Sequence, residues 1–441
     1  MAKKSAPRFI KLPVDVIEFP DYNPREISKK DFNKLRKDIR NDPNFLIQRP
    51  PLINHITEEN RYVCYAGTQR SKAAIEENYK EIDVWVEDNV PRKLQDERML
   101  KDNLHRGEWD LDKLSSFDAS FLLDVGFSSD SLNGMFDDIL TINEDEFNED
   151  KAIEEIQYRG VITKAGDIYQ LGSHRLMCGD STSSEDVKQL FGEIRAKVVY
   201  SDPPYNIGYD YTKGHSTEKK RYTDTKLNDS KSFVDYKNFL TSVIANANLF
   251  TEPDAHFFFW CDETYIGLLQ ELYRAAGITN RRVCLWIKNN FTPVPQMAFN
   301  KVIEPCVYGT TGKPFLNKEL KNFTEVINQD VGGSNIYDDL MSYVQMWLVR
   351  KENPNNYVHP TQKPLGLHEK PLKRCSAPGD VVADFFGGSG STLISCEQLK
   401  RTAFLMEKDP IFCDVIIMRW EQLTGAKAEL IKKQEYANAT D

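Results

Sequence analysis

Residues 196–206 read Ala196-Lys197-Val198-Val199-Tyr200-Ser201-Asp202-Pro203-Pro204-Tyr205-Asn206. The opening residues suit a short buried strand, rich in β-branched and aromatic side chains. The two prolines then end it, because each lacks a backbone N–H and has a fixed φ. They leave the Asp202 carboxylate and nearby carbonyls as a rigid, acceptor-rich edge beside an aromatic ring. Such an edge suits an exocyclic amino group, which is a double donor, and a ring at Tyr205 suits stacking on a planar base. Taken alone, Asp-Pro-Pro reads rather as an ordinary proline turn after a strand.

Working outward, the runs Ala255–Cys261, Val283–Ile287, Val302–Tyr308, Val381–Phe385 and Thr402–Met406 also read as buried strands. Helical segments separate several of them, for instance Tyr265–Ala276 closed by Gly277. Strands alternating with helices predict an α/β fold, a doubly wound and mostly parallel sheet whose ligands sit at the carboxyl ends of strands. A second motif falls at such an end: Asp384-Phe385-Phe386-Gly387-Gly388-Ser389-Gly390-Ser391-Thr392. Its glycines permit a tight turn and let a ligand approach the backbone at a helix N-terminus. No lysine precedes Ser391 or Thr392, which argues against a triphosphate-cradling loop. Glu407 ends the next strand, where an acid can accept hydrogen bonds from ribose hydroxyls.

The chain has 441 residues, 40% apolar, 28% charged and 11% aromatic, a globular composition with room for two or three domains. No stretch approaches the ~20 apolar residues a bilayer demands. Met1–Ile10 is basic but leads into no apolar run, so no signal peptide and a cytoplasmic location are expected. The eight cysteines form no C-x-x-C pair, which argues against zinc clusters and redox motifs and for buried free thiols. With a net charge of −10, no whole-chain field advertises nucleic-acid binding, so any such surface must be local.

Towards the N-terminus, Ser28 and Asp31 predict the start of a helix whose apolar face is Phe32, Leu35 and Ile39. Strand-like runs follow at Leu52–Ile56, Tyr62–Tyr65 and Ile82–Val86, then a polar helical stretch from Pro91 to about Leu140. Between Asn143 and Glu155 lies a dense acidic block, read as a solvated linker at a domain boundary.

Four motifs occur in order: Gly179-Asp180-Ser181, Asp202-Pro203-Pro204-Tyr205, His359-Pro360-Thr361-Gln362-Lys363-Pro364 and Phe385-Phe386-Gly387-Gly388-Ser389-Gly390. Over about Gly166–Gly425 the chain resembles the S-adenosylmethionine-dependent DNA amino-methyltransferases of the beta arrangement, in which the catalytic motif precedes the cofactor motif. The resemblance implies a Rossmann-like methyltransferase domain that flips adenine from double-stranded DNA and methylates its N6. It assigns catalysis to Asp202, Pro203, Pro204 and Tyr205, and S-adenosylmethionine binding to Asp180, Lys363, Asp384, Phe385, Gly387, Gly388, Gly390 and Glu407. It calls for no metal. Asp as the first catalytic residue favours adenine N6; cytosine-N4 enzymes more often place Ser directly before the prolines, and Ser201 stands one position too early. A homodimer and a separate restriction endonuclease partner stay open.

Asn23-Pro24-Arg25, Gly67-Thr68-Gln69-Arg70 and Asp102-Asn103-Leu104-His105-Arg106 resemble the boxes of ParB/sulfiredoxin-like domains, which in ParB proteins bind cytidine triphosphate. No cysteine stands in the second box, which argues against sulfiredoxin chemistry. The expected organisation is therefore a ParB-like domain over 1–90, a helical segment and acidic linker over 91–155, and a methyltransferase domain over 156–441. Base readout is expected within 312–350 and phosphate contacts along the basic stretch Arg281–Lys321, while 206–231, whose lysines are mixed with Asp210, Glu218, Asp224 and Asp229, reads equally as a DNA-closing loop and as a solvated one. Two alternatives stand: a cytosine-N4 enzyme, and a nucleotide-gated ParB-like DNA-binding protein with a vestigial methyltransferase half.

Overall fold

A computed structural model describes residues 6–42, 44–103, 108–117, 119–136, 140–208, 230–288, 298, 301–318, 320, 326–329 and 363–432. The chain falls into two units, Met1–Ile139 and Leu140–Asp441.

In the first unit the strands are β1 (Arg8–Pro13), β2 (Ile17–Glu18), β3 (Arg25–Glu26), β4 (Leu52–Ile56), β5 (Arg61–Ala66), β6 (Glu81–Asp88) and β7 (Glu108–Trp109). Five of them form one sheet in the order β1-β6-β4-β5-β2. Alternation along β6 buries Ile82, Val84 and Val86 on one face, where they meet Ile53 and Ile39. Helix Lys29–Asn41 begins as its sequence predicts, with the Ser28 hydroxyl accepting the Asp31 N–H at 3.1 Å. Helix Thr68–Glu76 opens at Gly67, whose φ is +83°; a Cβ there would lie 3.0 Å from Pro51 Cα and from the Arg70 guanidinium. Only glycine suits that entry.

The second unit holds β8 (Ile168–Leu171), β9 (His174–Cys178), β10 (Ala196–Ser201), β11 (Thr251–Trp260), β12 (Thr279–Ile287), β13 (Ile303–Thr310), β14 (Val326–Gln329), β15 (Val381–Asp384), β16 (Thr402–Glu407) and β17 (Glu429–Lys432). They make one sheet ordered β14-β12-β13-β11-β10-β15-β16-β9-β8-β17. The central neighbours β11, β10, β15, β16 and β9 are all parallel. Antiparallel β13 and β12 extend one side, and antiparallel β8 and β17 the other. This is a Rossmann-like doubly wound α/β sheet. Val199, Phe257, Phe259, Phe404 and Met406 share one core with Tyr236, Leu240, Val243 and Ile244 of helix Phe233–Leu249. At roughly 1.5–3 kcal/mol for each fully buried Leu, Val or Phe, that packing fixes where the strands end.

The acidic block is not simply solvated. Both carboxylate oxygens of Asp145 accept from the buried Arg419 guanidinium, at 2.6 and 2.7 Å. Glu149 is buried and starts helix Glu149–Arg159, capped by Asn148, whose Ala152, Ile153 and Ile156 pack on Ile411, Phe412 and Val415. A guanidinium removed from water requires a carboxylate, and the block supplies it. All eight cysteines are free thiols, buried except for half-buried Cys284. Among the described residues no helix is long and apolar enough to cross a membrane.

Candidate active site

Because β10, β15, β16 and β9 are adjacent and parallel, their carboxyl ends bring Asp202, the 384–390 turn, Glu407 and Asp180 to one edge of the sheet. Cross-links hold the row in register. The Phe385 N–H donates to Ser201 Oγ at 3.1 Å, the Ser181 hydroxyl donates to the Phe385 carbonyl, and the Gly179 N–H donates to the Glu407 carbonyl at 3.0 Å.

On the β15–β16 side, Asp384 braces the glycine turn: its carboxylate accepts the Phe386 N–H at 3.0 Å and the Thr392 hydroxyl at 2.7 Å. Burial pushes this carboxyl up to about 7 against those two donors. The Phe385 ring lies in the core, 6.1 Å from Phe191, so this residue reaches the site through its backbone. A Cβ on Gly387 would stand 3.1 Å from Ile416 Cδ1, whereas one on Gly388 would meet nothing nearer than the Phe386 carbonyl at 4.0 Å. Backbone at Gly388 therefore faces open space. Its N–H donates to Glu407 Oε2, and the Asp409 N–H to Glu407 Oε1, both at 2.8 Å. Burial pushes the Glu407 carboxyl up to about 7, opposed by those N–H groups. Each oxygen retains a second lone pair, so the carboxylate can still accept a pair of hydroxyls. Asp180 accepts from the Thr182 N–H and hydroxyl at 2.9 and 2.6 Å and from Lys408 at 2.7 Å. Burial raises this carboxyl, but Lys408 and Thr182 outweigh it and hold it below its ordinary range. An open-faced glycine turn beside a ribose-type acid fits a nucleoside cofactor.

On the β10 side the two oxygens of Asp202 are both engaged. The Tyr205 hydroxyl donates to Oδ1 at 2.7 Å, and the Lys363 ammonium donates to Oδ2. Lys363 also donates to the Tyr205 oxygen at 3.1 Å and lies 4.8 Å from the Trp260 ring centre. The expectation that ties Lys363 to the cofactor therefore meets a side chain placed on Asp202 and Tyr205. Pro203 is buried, and the Pro204 carbonyl accepts the Tyr236 hydroxyl at 2.8 Å. Asn206, at φ +56°, exchanges two hydrogen bonds with the Lys231 backbone, at 2.5 and 3.1 Å. Burial, then the Asp202 and Glu304 charges, push the Tyr205 phenol well up, so it remains a donor.

Two groups are given no role by the sequence reading. Glu304 on β13 pairs with Lys288 through Oε1 and turns Oε2 towards Lys363, at 3.7 Å, and the Tyr205 hydroxyl, at 3.4 Å. Burial raises its carboxyl, but Lys363 and Lys288 outweigh that and hold it below its ordinary value. Its only signal was an acid inside an apolar strand run. Arg419 donates to the Ser389 carbonyl of the glycine turn at 3.0 Å while paired with Asp145. Of the basic stretch expected to bind phosphates, Lys288 and Lys301 are ion-paired with Glu304 and Asp262, because buried acids beside the site draw them in. Residues 209–229, 330–350 and 359–362, and Arg106, lie outside the described residues.

A family model described as DNA methylase, of the N6/N4 type, matches residues 196–418, just over half the chain. The type II methyltransferase M.HpaI of Haemophilus parainfluenzae is 25% identical over 236 residues, 52% of this chain and 68% of that protein. Among solved structures, the M1.HpyAVI complex with SAM aligns at 20% identity and TM-score 0.37, over 54% of this chain and 96% of its own. The cytosine-N4-specific PvuII DNA methyltransferase aligns at 15% identity and TM-score 0.39, over 59% and 94%. The family match begins at the first residue of β10 and ends in the helix after β16, enclosing the Asp202 edge, the glycine turn and Glu407; this chain belongs to the N6/N4 family of DNA methylases.

Proposed function

We propose that the protein transfers the methyl group of S-adenosylmethionine to adenine N6 in DNA, with its motifs in the beta arrangement. The observation that supports this reading is the pairing of β10 with β15, which brings the Asp202 edge beside the 384–390 glycine turn. Glu407 would hold the ribose hydroxyls, and the Gly387–Gly390 backbone would lie against the rest of the cofactor. When bound, the cofactor supplies an already activated, electrophilic methyl group. The chain's work is then alignment and charge stabilisation. Adenine must leave the duplex, at a cost of a few kcal/mol that stacking on Tyr205 partly offsets. Asp202 and the Pro203 carbonyl accept the amino hydrogens and turn the nitrogen lone pair towards the methyl carbon. As the nitrogen takes the methyl group, leaving the cofactor as a neutral thioether, the Asp202 carboxylate stabilises the positive charge on nitrogen until one amino proton passes to water. Aspartate rather than serine before the two prolines favours adenine over cytosine.

The N-terminal unit is read as a ParB-like module that targets DNA. What supports this is the left-handed Gly67 entry to helix Thr68–Glu76, with Arg70 paired to Asp102 at 3.1 Å.

Asp202→Ala and Tyr205→Ala are expected to abolish methyl transfer to unmethylated genomic DNA while S-adenosylmethionine affinity, by calorimetry, stays within about twofold of the parent. Loss of cofactor affinity would instead assign both residues to the cofactor pocket.

A further inference from the structure

Lys363 places a donor where the proposed reading puts the substrate amino group. Lys363 carries three N–H donors. One points to Asp202 Oδ2 and another to the Tyr205 oxygen, while the side chain is buried and its ammonium lies over the Trp260 ring. Asp202 Oδ1 is taken by the Tyr205 hydroxyl. Each oxygen keeps a second lone pair, but a target amino group on Oδ2 shares that oxygen with the ammonium unless Lys363 moves away.

A buried ammonium cannot simply be released, because losing its carboxylate leaves a charge unpaired away from water. Among the described residues, one other anion lies within reach. Glu304 is fixed from behind by Lys288 on Oε1, and its Oε2 faces Lys363 at 3.7 Å. A shift of about 1 Å brings that separation into the hydrogen-bonding range. The Trp260 face, 4.8 Å from the ammonium, accompanies the charge along the way.

We infer that Lys363 is a placeholder for the target amino group and that Glu304 is the positioning residue onto which its ammonium shifts when a base enters. The inference rests on the reading that Asp202 receives the amino group. Without a base, Lys363 keeps Asp202 neutralised and aimed. With one, Glu304 takes the lysine and frees Oδ2 for the amino hydrogen. No proton changes hands; the ammonium exchanges one carboxylate for another.

The test uses the full chain, unmethylated genomic DNA and methyl-labelled S-adenosylmethionine. Glu304→Gln keeps a polar acceptor but removes the charge, so Lys363 stays on Asp202. Its methyl-transfer rate should fall about tenfold or more, with S-adenosylmethionine affinity within about twofold of the parent and partial recovery in Glu304→Asp. The Lys363→Met, Glu304→Gln double variant should be faster than Glu304→Gln alone, because no ammonium remains to be moved. A double variant as slow as or slower than the single one overturns the placeholder role, as does loss of cofactor affinity in Glu304→Gln. Asp202→Ala separates the two levels. If it retains turnover, the underlying reading fails; if it is inactive and the double variant gains nothing, the placeholder alone fails.

Discussion

Gly390 enters helix Ser391–Gln398 at φ +86°, and a Cβ there would sit 3.2 Å from Ile416 Cγ1. Gly390→Ala is expected to cost about 1–2 kcal/mol from the left-handed backbone alone, read as a lower denaturation midpoint. Asp384 and Glu407 set the pH behaviour. Their ordinary values are 3.8 and 4.5, and burial pushes both up to about 7. The folded chain then holds protons that the unfolded chain has already lost, so their contribution to stability falls as pH rises from about 4 to 7. On the proposed reading, in which Glu407 holds the ribose, cofactor affinity runs the other way, because an ionised carboxylate is the stronger acceptor for hydroxyls. S-adenosylmethionine titrations should tighten from pH 6 to 8, and Glu407→Gln should bind about tenfold or more weakly with no such rise. Asp202, Asp384 and Glu407 were legible because each directly follows or closes an apolar strand. Glu304 and Arg419 were not, because each acts on the site through partners far away in sequence.

At the scale of elements, the segment before helix Glu149–Arg159 is tied into the unit at several points. The Asn143 backbone exchanges hydrogen bonds with the Gln398 amide, at 2.7 and 3.0 Å. Glu144 accepts the Gly366 N–H at 3.1 Å, at the start of the helix that follows Lys363 and Pro364. Asp145 neutralises Arg419, which in turn holds Ser389 in the glycine turn. Breaking a buried ion pair from one side typically costs about 3–5 kcal/mol, so Asp145→Ala should lose that order of unfolding free energy. It should also weaken S-adenosylmethionine binding, since the Ser389 carbonyl loses a fixed donor; a variant destabilised but unchanged in cofactor affinity would separate the two roles. Acids in a run read as solvated when nothing nearby can claim them, and Arg419 stands 274 residues from Asp145. Helix Gly366–Cys375 was hidden by Pro371 within it, and the polar start Thr251–Asp254 hid only the first residues of β11, whose run from Ala255 was plain. The apolar ends of β10, β15 and β16 were plain because strands buried on both faces leave no room for polar alternation.

Over the whole molecule, every described residue of the Asp202 edge, the glycine turn and the Glu407 cradle belongs to Leu140–Asp441. A fragment spanning 140–441 should bind S-adenosylmethionine as the full chain does, whereas one beginning at 160 should not, having lost Asp145 and the Ala152–Ile156 face. Calorimetry on both fragments reads the difference directly. The sheet order could not be taken from the alternation of strands and helices alone. Strand runs predict that β10 and β15 exist, but their adjacency arises only when the chain between them folds away, placing the acceptor edge beside the glycine turn. That adjacency carries the central claim, that an amino group on adenine is presented to the cofactor's methyl. The most direct measurement incubates the protein with unmethylated genomic DNA and S-adenosylmethionine, digests the DNA to nucleosides and weighs them by mass spectrometry. N6-methyladenine is the product this account predicts; N4-methylcytosine alone, or no methylated nucleoside from a protein that binds the cofactor, would contradict it.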